Sequence, residues 1–236
     1  MKNYRALGLF FLTSTEEIKP GLILLISALF ITIHRYISPF EFNLNLFSIV
    51  IEFNSALNMF LTAFLLLGII PLIIMKIGFN EQLAEYGITL GNVKTGFFLI
   101  AILYPLISIL LLFPSSNTKE MIAFYPLDKE ATTSIKAFVE YELLRAILFY
   151  TAWEFFFRGF MLFGLKKYVG NWLAICIQTI PSCLWHIGMP AGEIFASIFG
   201  GIMFGLIALK TKSIFYPLIL HILIGLTLDL LIILQN

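Results

Sequence analysis

Seven long apolar segments with few internal charges most constrain how this chain can fold. They cover residues 21–34, 55–75, 96–113, 137–165, 171–186, 193–209 and 213–234. About 20 apolar residues in helical form cross a lipid bilayer, and 60% of the 236 residues are hydrophobic while 12% are charged. The sequence therefore predicts an all-α fold, a polytopic transmembrane bundle of about seven or eight helices, with residues 1–236 forming a single integral membrane domain. The connection after the first segment, which holds Pro39 and Glu41, is predicted to be a loop.

The distribution of basic residues predicts which way the chain crosses the membrane. Lysine and arginine collect in short cytoplasmic loops, so we place the amino terminus in the cytoplasm and alternate sides at each segment. The predicted inner set is Lys2, Arg5, Lys19, Lys76, Lys94, Lys166, Lys167, Lys210 and Lys212, and the predicted outer set is Arg35, Lys119, Lys129 and Lys136. We therefore expect a protein of the cell membrane, and a net charge of +1 does not indicate a nucleic-acid partner.

Two opposite charges lie inside the predicted helix at 137–165. Glu154 and Arg158 are four residues apart, so they lie on one face of the helix and can pair. A charged side chain near the bilayer centre costs roughly 3 kcal/mol or more, which makes an ionisable residue at this depth a candidate functional residue. We expect Arg158 to orient Glu154. We expect the first turns of the same helix, with Glu142 and Arg145, to project into the lipid headgroups.

Two histidines occupy similar depths on later helices. At 1.5 Å per residue from the predicted inner ends, Glu154 lies ~18 Å deep, His186 ~22 Å and His221 ~13 Å. Their helices must pack side by side for these groups to satisfy one another, which predicts a shared polar pocket. A carboxylate can take a proton from water while imidazoles bind the nucleophile and the developing oxyanion. Asp229, on the same predicted helix as His221, is a further candidate site residue.

Three other interpretations of these polar groups remain open. The Glu154–Arg158 pair and the histidines could join helices without catalysis. They could instead relay protons in a small transporter, although the sequence lacks the inverted repeats typical of transporters. Glu154, His186 and His221 could also bind Zn(II) with one open position, and Glu193 could add a ligand. No HExxH spacing is present, so the expected site has no metal and no other cofactor, with zinc as the alternative.

Three short motifs, in this order, resemble those of the CAAX protease and bacteriocin-processing enzymes, called the CPBP or Abi family. That family includes the type II CAAX prenyl proteases and carries Glu-Glu-x-x-x-Arg, then Phe-x-x-x-His, then His-x-x-x-Asn, each on a membrane helix. Here residues 153–159 read WEFFFRG, residues 182–186 read SCLWH and residues 221–225 read HILIG. Residues 86–91, YGITLG, are similar to a segment common upstream in such proteins. The resemblance gives a family-like core of about residues 137–234.

The resemblance implies an intramembrane endopeptidase, a hydrolase of the CAAX prenyl protease type. Its expected partners are the lipid bilayer and a membrane-embedded or lipidated peptide or protein substrate. The matching motif positions give the expected catalytic residues Glu154, Arg158, His186 and His221. On this scheme Glu154 and His186 activate water and His221 stabilises the oxyanion. Members are also called metalloproteases, while the prenyl protease branch implies a mechanism without metal.

Three motif positions differ from the family pattern. Trp153 replaces the first Glu, Ser182 replaces the Phe, and Gly225 replaces the Asn. Asp229, one turn after Gly225, could replace the missing Asn and assist His221. Because the differences touch the residues expected to act on water, the alternative function is a non-catalytic membrane scaffold or substrate-binding pseudoprotease in bacteriocin immunity or maturation.

Overall fold

The computed structural model describes residues 15–39, 42–46 and 49–235, and these residues form eight helices, two short strands and two single 3₁₀ turns. The helices are α1 (Thr15–Ile37), α2 (Ser55–Gly78), α3 (Val93–Ser116), α4 (Lys119–Phe124), α5 (Ile135–Val169), α6 (Asn171–Trp185), α7 (Ala191–Thr211) and α8 (Phe215–Gln235). The 3₁₀ turns are Leu83–Tyr86, between α2 and α3, and Lys129–Thr132, between α4 and α5.

Six of these helices are long and apolar enough to cross a membrane, namely α1, α2, α3, α5, α7 and α8 in the described part of the chain. The predicted all-α polytopic bundle is therefore confirmed, and the chain is a multi-pass membrane protein. The predicted segment 171–186 forms α6, whose 15 residues extend about 22 Å. That length is short of a ~30 Å hydrocarbon core. His186, which directly follows α6, therefore lies at a helix end and not midway along a span.

A short strand pair occupies the connection between α1 and α2, where the sequence predicted only a loop. The strands β1 (Phe42–Leu46) and β2 (Ile49–Phe53) are antiparallel, with Leu46 opposite Ile49. The sequence of β1, FNLNL, alternates apolar and polar residues, which is the period of a strand and not of a helix. The loop prediction was wrong because the asparagines alternate with apolar residues, and this alternation favours a strand.

The long helix α5 is the centre of the bundle. Of its most apolar stretch, 78% is buried, against 22–33% in the other five spanning helices. Side chains 152–165 are all buried, because neighbouring helices surround this part of α5. Two π-helical segments, Arg145–Tyr150 and Phe155–Phe163, flank a single α-helical turn at Thr151–Glu154. Such widened turns are frequent at functional sites, and here they border Glu154.

Small residues bring α6 and α7 into close contact. A Cβ atom added at Gly201 would lie 2.7 Å from Thr179 Cγ2, and one added at Gly205 would lie 3.1 Å from Ile175 Cγ1. Across the same interface Gln178 Nε2 donates to the Gly201 carbonyl at 2.9 Å. Close backbone approach through small residues, together with an interhelical hydrogen bond, is a common way to join membrane helices. It fixes α6 beside α7, which in turn contacts α8.

Basic residues predicted for the inner side lie at one end of the bundle. Lys19, Lys166, Lys167 and Lys212 come from three different helices or their ends and line one cavity. Their common position agrees with the alternation of sides along the chain. Lys2 and Arg5, which also entered the sidedness prediction, lie outside the described residues. The cytoplasmic placement of the amino terminus stays a prediction.

Candidate active site

The buried charges of α5 meet a histidine of α8. The Glu154 side chain is completely buried, and its Oε1 accepts a hydrogen bond from His221 Nδ1 at 2.7 Å. The guanidinium of Arg158, one turn along α5, lies 3.2 Å from the same oxygen. The other carboxylate oxygen of Glu154, Oε2, is buried without a hydrogen-bond partner among the described residues. The structure therefore brings three of the five predicted site residues into direct contact and leaves one oxygen unpaired.

Aromatic rings fix the orientation of His221. The Tyr150 ring lies 4.4 Å from the imidazole, centroid to centroid, and the Phe204 ring of α7 lies 5.2 Å from it. A carboxylate has only acceptor atoms, so Nδ1 of His221 carries the hydrogen that Glu154 accepts. The neutral ring then has its lone pair on Nε2. His221 can therefore act as a proton acceptor through Nε2 while Glu154 holds the tautomer.

His186 lies at the edge of this site. Its Nδ1 is 2.7 Å from the Ser182 carbonyl, which can only accept, so Nε2 again carries the lone pair of the neutral ring. Nε2 is 4.0 Å from Glu193 Oε1, a gap that one water molecule can bridge. His186 and His221 are close enough to interact electrostatically. His186 thus borders the Glu154–His221 pair without a direct hydrogen bond to it.

A tyrosine from outside the spanning helices completes the surroundings of Glu193. Tyr125 follows α4, and its hydroxyl donates to Glu193 Oε1 at 2.6 Å. Burial, and then the nearby Glu193 carboxyl, raises the pKa of Tyr125 well above the ordinary value for tyrosine. Tyr125 therefore stays protonated and acts as a donor. Tyr125 was not among the residues predicted for the site, because it lies in a segment predicted to be outside the bilayer.

Trp153 occupies the position where the family pattern has its first glutamate. Its buried indole packs against other rings, with centroid distances of 4.5 Å to Phe157, 4.9 Å to Trp185 and 5.8 Å to His186. No carboxylate therefore occupies this position, and Trp153 presents an apolar wall to His186.

The third histidine of the chain, His34 of α1, supports this wall. Trp185 Nε1 donates to His34 Nδ1 at 3.0 Å, and His34 Nε2 donates to the Met59 carbonyl at 3.1 Å. The neighbouring Arg35 donates to the Ile187 carbonyl at 2.6 Å. Both ring nitrogens of His34 are satisfied, so it anchors the end of α6 on which His186 lies. His34 was not predicted as a site residue. In the sequence it is only a polar residue near the end of a predicted span.

Asp229 belongs to a second ionic cluster. It is completely buried, and its Oδ2 lies 2.7 Å from Arg145 Nη1. Glu142 lies 3.5 Å from the same Arg145 nitrogen. Glu142 and Arg145 are buried against other side chains, because Asp229 supplies a partner from α8 that the sequence of α5 does not reveal. Their position at the depth of the lipid headgroups stays a prediction. Asp229 is engaged by Arg145, and its predicted role beside His221 is not visible as a contact.

Tyr150 fills the space beside Gly225, where the family pattern has asparagine. A Cβ atom at Gly225 would lie 1.9 Å from the Tyr150 hydroxyl oxygen and 2.8 Å from its Cζ. Any larger side chain at 225 would displace Tyr150 from this position. The Tyr150 ring also contacts His221, and the Arg145 guanidinium lies 5.0 Å from the ring centroid. Tyr150 thus links the two ionic clusters.

The four residues considered as zinc ligands form two separate pairs. Glu154 and His221 are hydrogen-bonded to each other, while His186 approaches Glu193. Within residues 15–39, 42–46 and 49–235 there is no group of three or more His, Cys, Asp or Glu side chains arranged to bind a metal ion. The donor set therefore does not fit the zinc site considered from the sequence.

Comparison with known proteins gives a family match for one segment of the chain. Residues 139–227 match the family described as type II CAAX prenyl endopeptidase Rce1-like. The matched segment contains Glu154, Arg158, His186 and His221, and Asp229 follows its end. Searches of curated proteins and of solved structures gave no significant match. Over residues 139–227 the chain therefore matches the Rce1-like family of type II CAAX prenyl endopeptidases, and the family resemblance drawn from the three motifs is confirmed.

Proposed function

We propose that this protein is an intramembrane endopeptidase that hydrolyses a peptide bond near the membrane-embedded or lipidated end of its substrate. The observation that carries the proposal is the 2.7 Å hydrogen bond between Glu154 and His221, with Arg158 at 3.2 Å, in a buried site. A carboxylate that orients a histidine is a recurrent arrangement for activating a nucleophile. The Rce1-like match over the same residues supports the class of reaction.

The proposed reaction uses His221 as the proton acceptor. Water attacks the carbonyl carbon of the scissile peptide, and His221 Nε2 takes the proton that water loses. Glu154, through its bond to Nδ1, stabilises the imidazolium that forms, and Arg158 holds the Glu154 carboxylate in place. His221 then gives the proton to the leaving amine as the carbon–nitrogen bond breaks. This assignment differs from the sequence expectation, in which Glu154 was the base and His221 stabilised the oxyanion.

His186 is proposed to position the attacking water. Its Nε2 can accept a hydrogen bond from water, and the Glu193 carboxylate 4.0 Å away can accept a second one. No metal takes part in this scheme. The surrounding apolar helices would exclude other water molecules, which strengthens the electrostatic interactions within the site. A lipidated or membrane-embedded peptide is the substrate class that reaches such a site from the bilayer.

The alternative is a pseudoprotease that binds a hydrophobic peptide or lipidated tail without cleaving it. The indole of Trp153 at the position of the first family glutamate favours this alternative. The hydrogen bond between Glu154 and His221 Nδ1 favours the enzyme, because it leaves the lone pair on His221 Nε2 able to accept a proton.

Cleavage of a membrane-peptide and prenylated-peptide library by purified protein in detergent tests the proposal. Glu154→Gln and His221→Asn are each expected to slow cleavage at least about a hundredfold, the usual effect of losing general-base catalysis. Glu140→Gln is the matched control, because Glu140 is an exposed acid on the same helix, and it is expected to cleave like the wild type. Cleavage that persists in both site variants would contradict the site. Binding without cleavage by all four proteins would favour the pseudoprotease.

A further inference from the structure

A cavity with a basic lining opens at the end of the bundle opposite to the Arg145 cluster. Its volume is about 640 Å³, within the range of small-molecule binding sites. Its walls come from the beginning of α1, the connection between α2 and α3, the ends of α5 and α7, and the first residue of α6. We call it the lysine cavity, because Lys19, Lys166, Lys167 and Lys212 contribute four of its lining side chains.

Two of these lysines share a single carboxylate of the protein. Glu81 accepts from Lys19 at 2.5 Å and from Lys167 at 3.0 Å. The Tyr86 hydroxyl also donates to Glu81 in a short hydrogen bond. Glu85 is the other acidic residue of the cavity lining. Its carboxylate accepts a hydrogen bond from the Gln82 backbone amide and so caps the 3₁₀ turn that contains Glu85. The acidic side chains of the cavity are therefore already occupied.

The other two lysines have no such partner. Neither Lys166 nor Lys212 forms an ion pair with a carboxylate among the residues that the structure describes, and the two ammonium groups are close enough to repel each other. The Lys166 ammonium lies over the face of Phe163, 4.0 Å from the nitrogen to the ring centroid. Two uncompensated positive charges that line one cavity favour an anion between them.

Backbone contacts fix the position of Lys212. The Asn92 amide donates to the Thr211 carbonyl at 2.7 Å, and the Ile214 amide donates to the Gly87 carbonyl at 2.9 Å. These bonds hold the α2–α3 connection against the turn that carries Lys212. A Cβ at Gly91 would lie 2.1 Å from the Thr211 carbonyl oxygen, so only glycine permits this approach. Lys212 is therefore placed by rigid local structure and not by a mobile tail.

We propose that the lysine cavity binds a phosphate-bearing anion between Lys166 and Lys212. Two sources of this chemistry are available to a membrane protein, the headgroup of an anionic phospholipid and free inorganic phosphate. The headgroup is favoured by position, because the cavity lies where several spanning helices end. Basic pockets at such ends are suited to anionic headgroups. This site is separate from Glu154 and His221, and the proposal does not depend on proteolysis.

Lipid titration of the full-length chain in detergent tests the site. Phosphatidylglycerol and phosphatidylcholine are the probes, and bound lipid is counted by native mass spectrometry. Phosphatidylglycerol is expected to bind more tightly than phosphatidylcholine. Lys166→Gln/Lys212→Gln should weaken phosphatidylglycerol binding about 30-fold, since each lysine near an anionic lipid contributes about a fivefold effect. Lys210→Gln is the matched control, because Lys210 is on the same end of α7 but does not line the cavity.

A second arm separates the two sources of phosphate. Inorganic phosphate that raises the melting temperature of the wild type but not of the double variant assigns the site to free phosphate. A rise with phosphatidylglycerol alone assigns it to the lipid headgroup. Lys212→Gln alone, at an exposed position, should weaken binding about fivefold and guards against misfolding of the double variant. Equal binding of both lipids together with no phosphate-dependent rise in melting temperature would overturn the proposal. So would lysine variants that bind phosphatidylglycerol, and respond to inorganic phosphate, as the wild type does.

Discussion

At the scale of single residues, Gly225 and Tyr150 show how one replacement reshapes the site. The absence of a side chain at 225 creates the space that the Tyr150 hydroxyl occupies. The same tyrosine ring packs on His221 and lies beside Arg145. The glycine is therefore not a simple loss of the family asparagine. It permits a different residue to occupy the space beside the histidine.

Gly225→Ala is expected to destabilise the protein by about 1–3 kcal/mol, the usual cost of forcing an extra carbon into a packed interior. The added Cβ would lie 1.9 Å from the Tyr150 oxygen, so the tyrosine must move away from its contact with His221. Thermal unfolding in detergent measures the loss. Gly200→Ala is the matched control, because a Cβ at Gly200 meets nothing within 4 Å. Adding Tyr150→Phe should recover part of the loss, and an unchanged melting temperature for Gly225→Ala would refute the contact.

At the scale of elements, the Arg145 cluster joins α5 to α8. Arg145 is 5% exposed, and the carboxylates of Asp229 and Glu142 lie 2.7 Å and 3.5 Å from its Nη1. Burying two carboxylates beside one guanidinium is costly unless the cation stays in place. Since α8 also carries His221, this cluster sets the position of His221 relative to Glu154.

Arg145→Met is expected to cost about 3–5 kcal/mol, because it leaves two carboxylates buried without a cation. The double variant Arg145→Met/Asp229→Leu should recover part of that loss. Lys136→Met tests the effect of removing a cation from α5 at a surface position, where the pair with Glu140 is exposed and little change is expected. Unfolding in detergent compares the three variants. An Arg145→Met protein as stable as Lys136→Met would show that the buried cluster does not join α5 to α8.

At the scale of the whole molecule, Glu81 connects distant parts of the chain. It lies outside the spanning helices, and it accepts from Lys19 of α1 and Lys167 of α5. Burial alone would raise the pKa of the Glu81 carboxyl, but hydrogen bonds from Lys19, Tyr86 and Lys167 outweigh burial and lower the pKa below the ordinary value. The folded protein therefore binds this proton less readily than the unfolded chain.

The contribution of Glu81 to stability should be fully present above the ordinary pKa of glutamate and should disappear as pH falls through the lowered pKa. Glu81→Gln is expected to be less stable than the wild type at neutral pH, and the difference should narrow in acid. Melting temperatures across a pH series measure this. Glu120→Gln, at an exposed position of α4, controls for the loss of one negative charge. A difference between Glu81→Gln and wild type that stays constant into acid would contradict the ion network.

The sequence by itself determined the long helices, because apolar period and length are local properties. The predicted segment 137–165 became α5, Ile135–Val169, and 213–234 became α8, Phe215–Gln235. The pair Glu154–Arg158 followed from helical spacing alone. Motif order identified the family that the match over 139–227 then confirmed.

Only the tertiary structure decided which polar groups meet. Arg145 donates to Asp229, 84 residues away, and Trp185 donates to His34, 151 residues away. Glu154 is hydrogen-bonded to His221 but not to His186. Each of these contacts depends on the rotation and depth of one helix against another. Packing of whole helix faces sets those variables, and the apolar pattern of a fully buried helix such as α5 does not specify which face meets which neighbour.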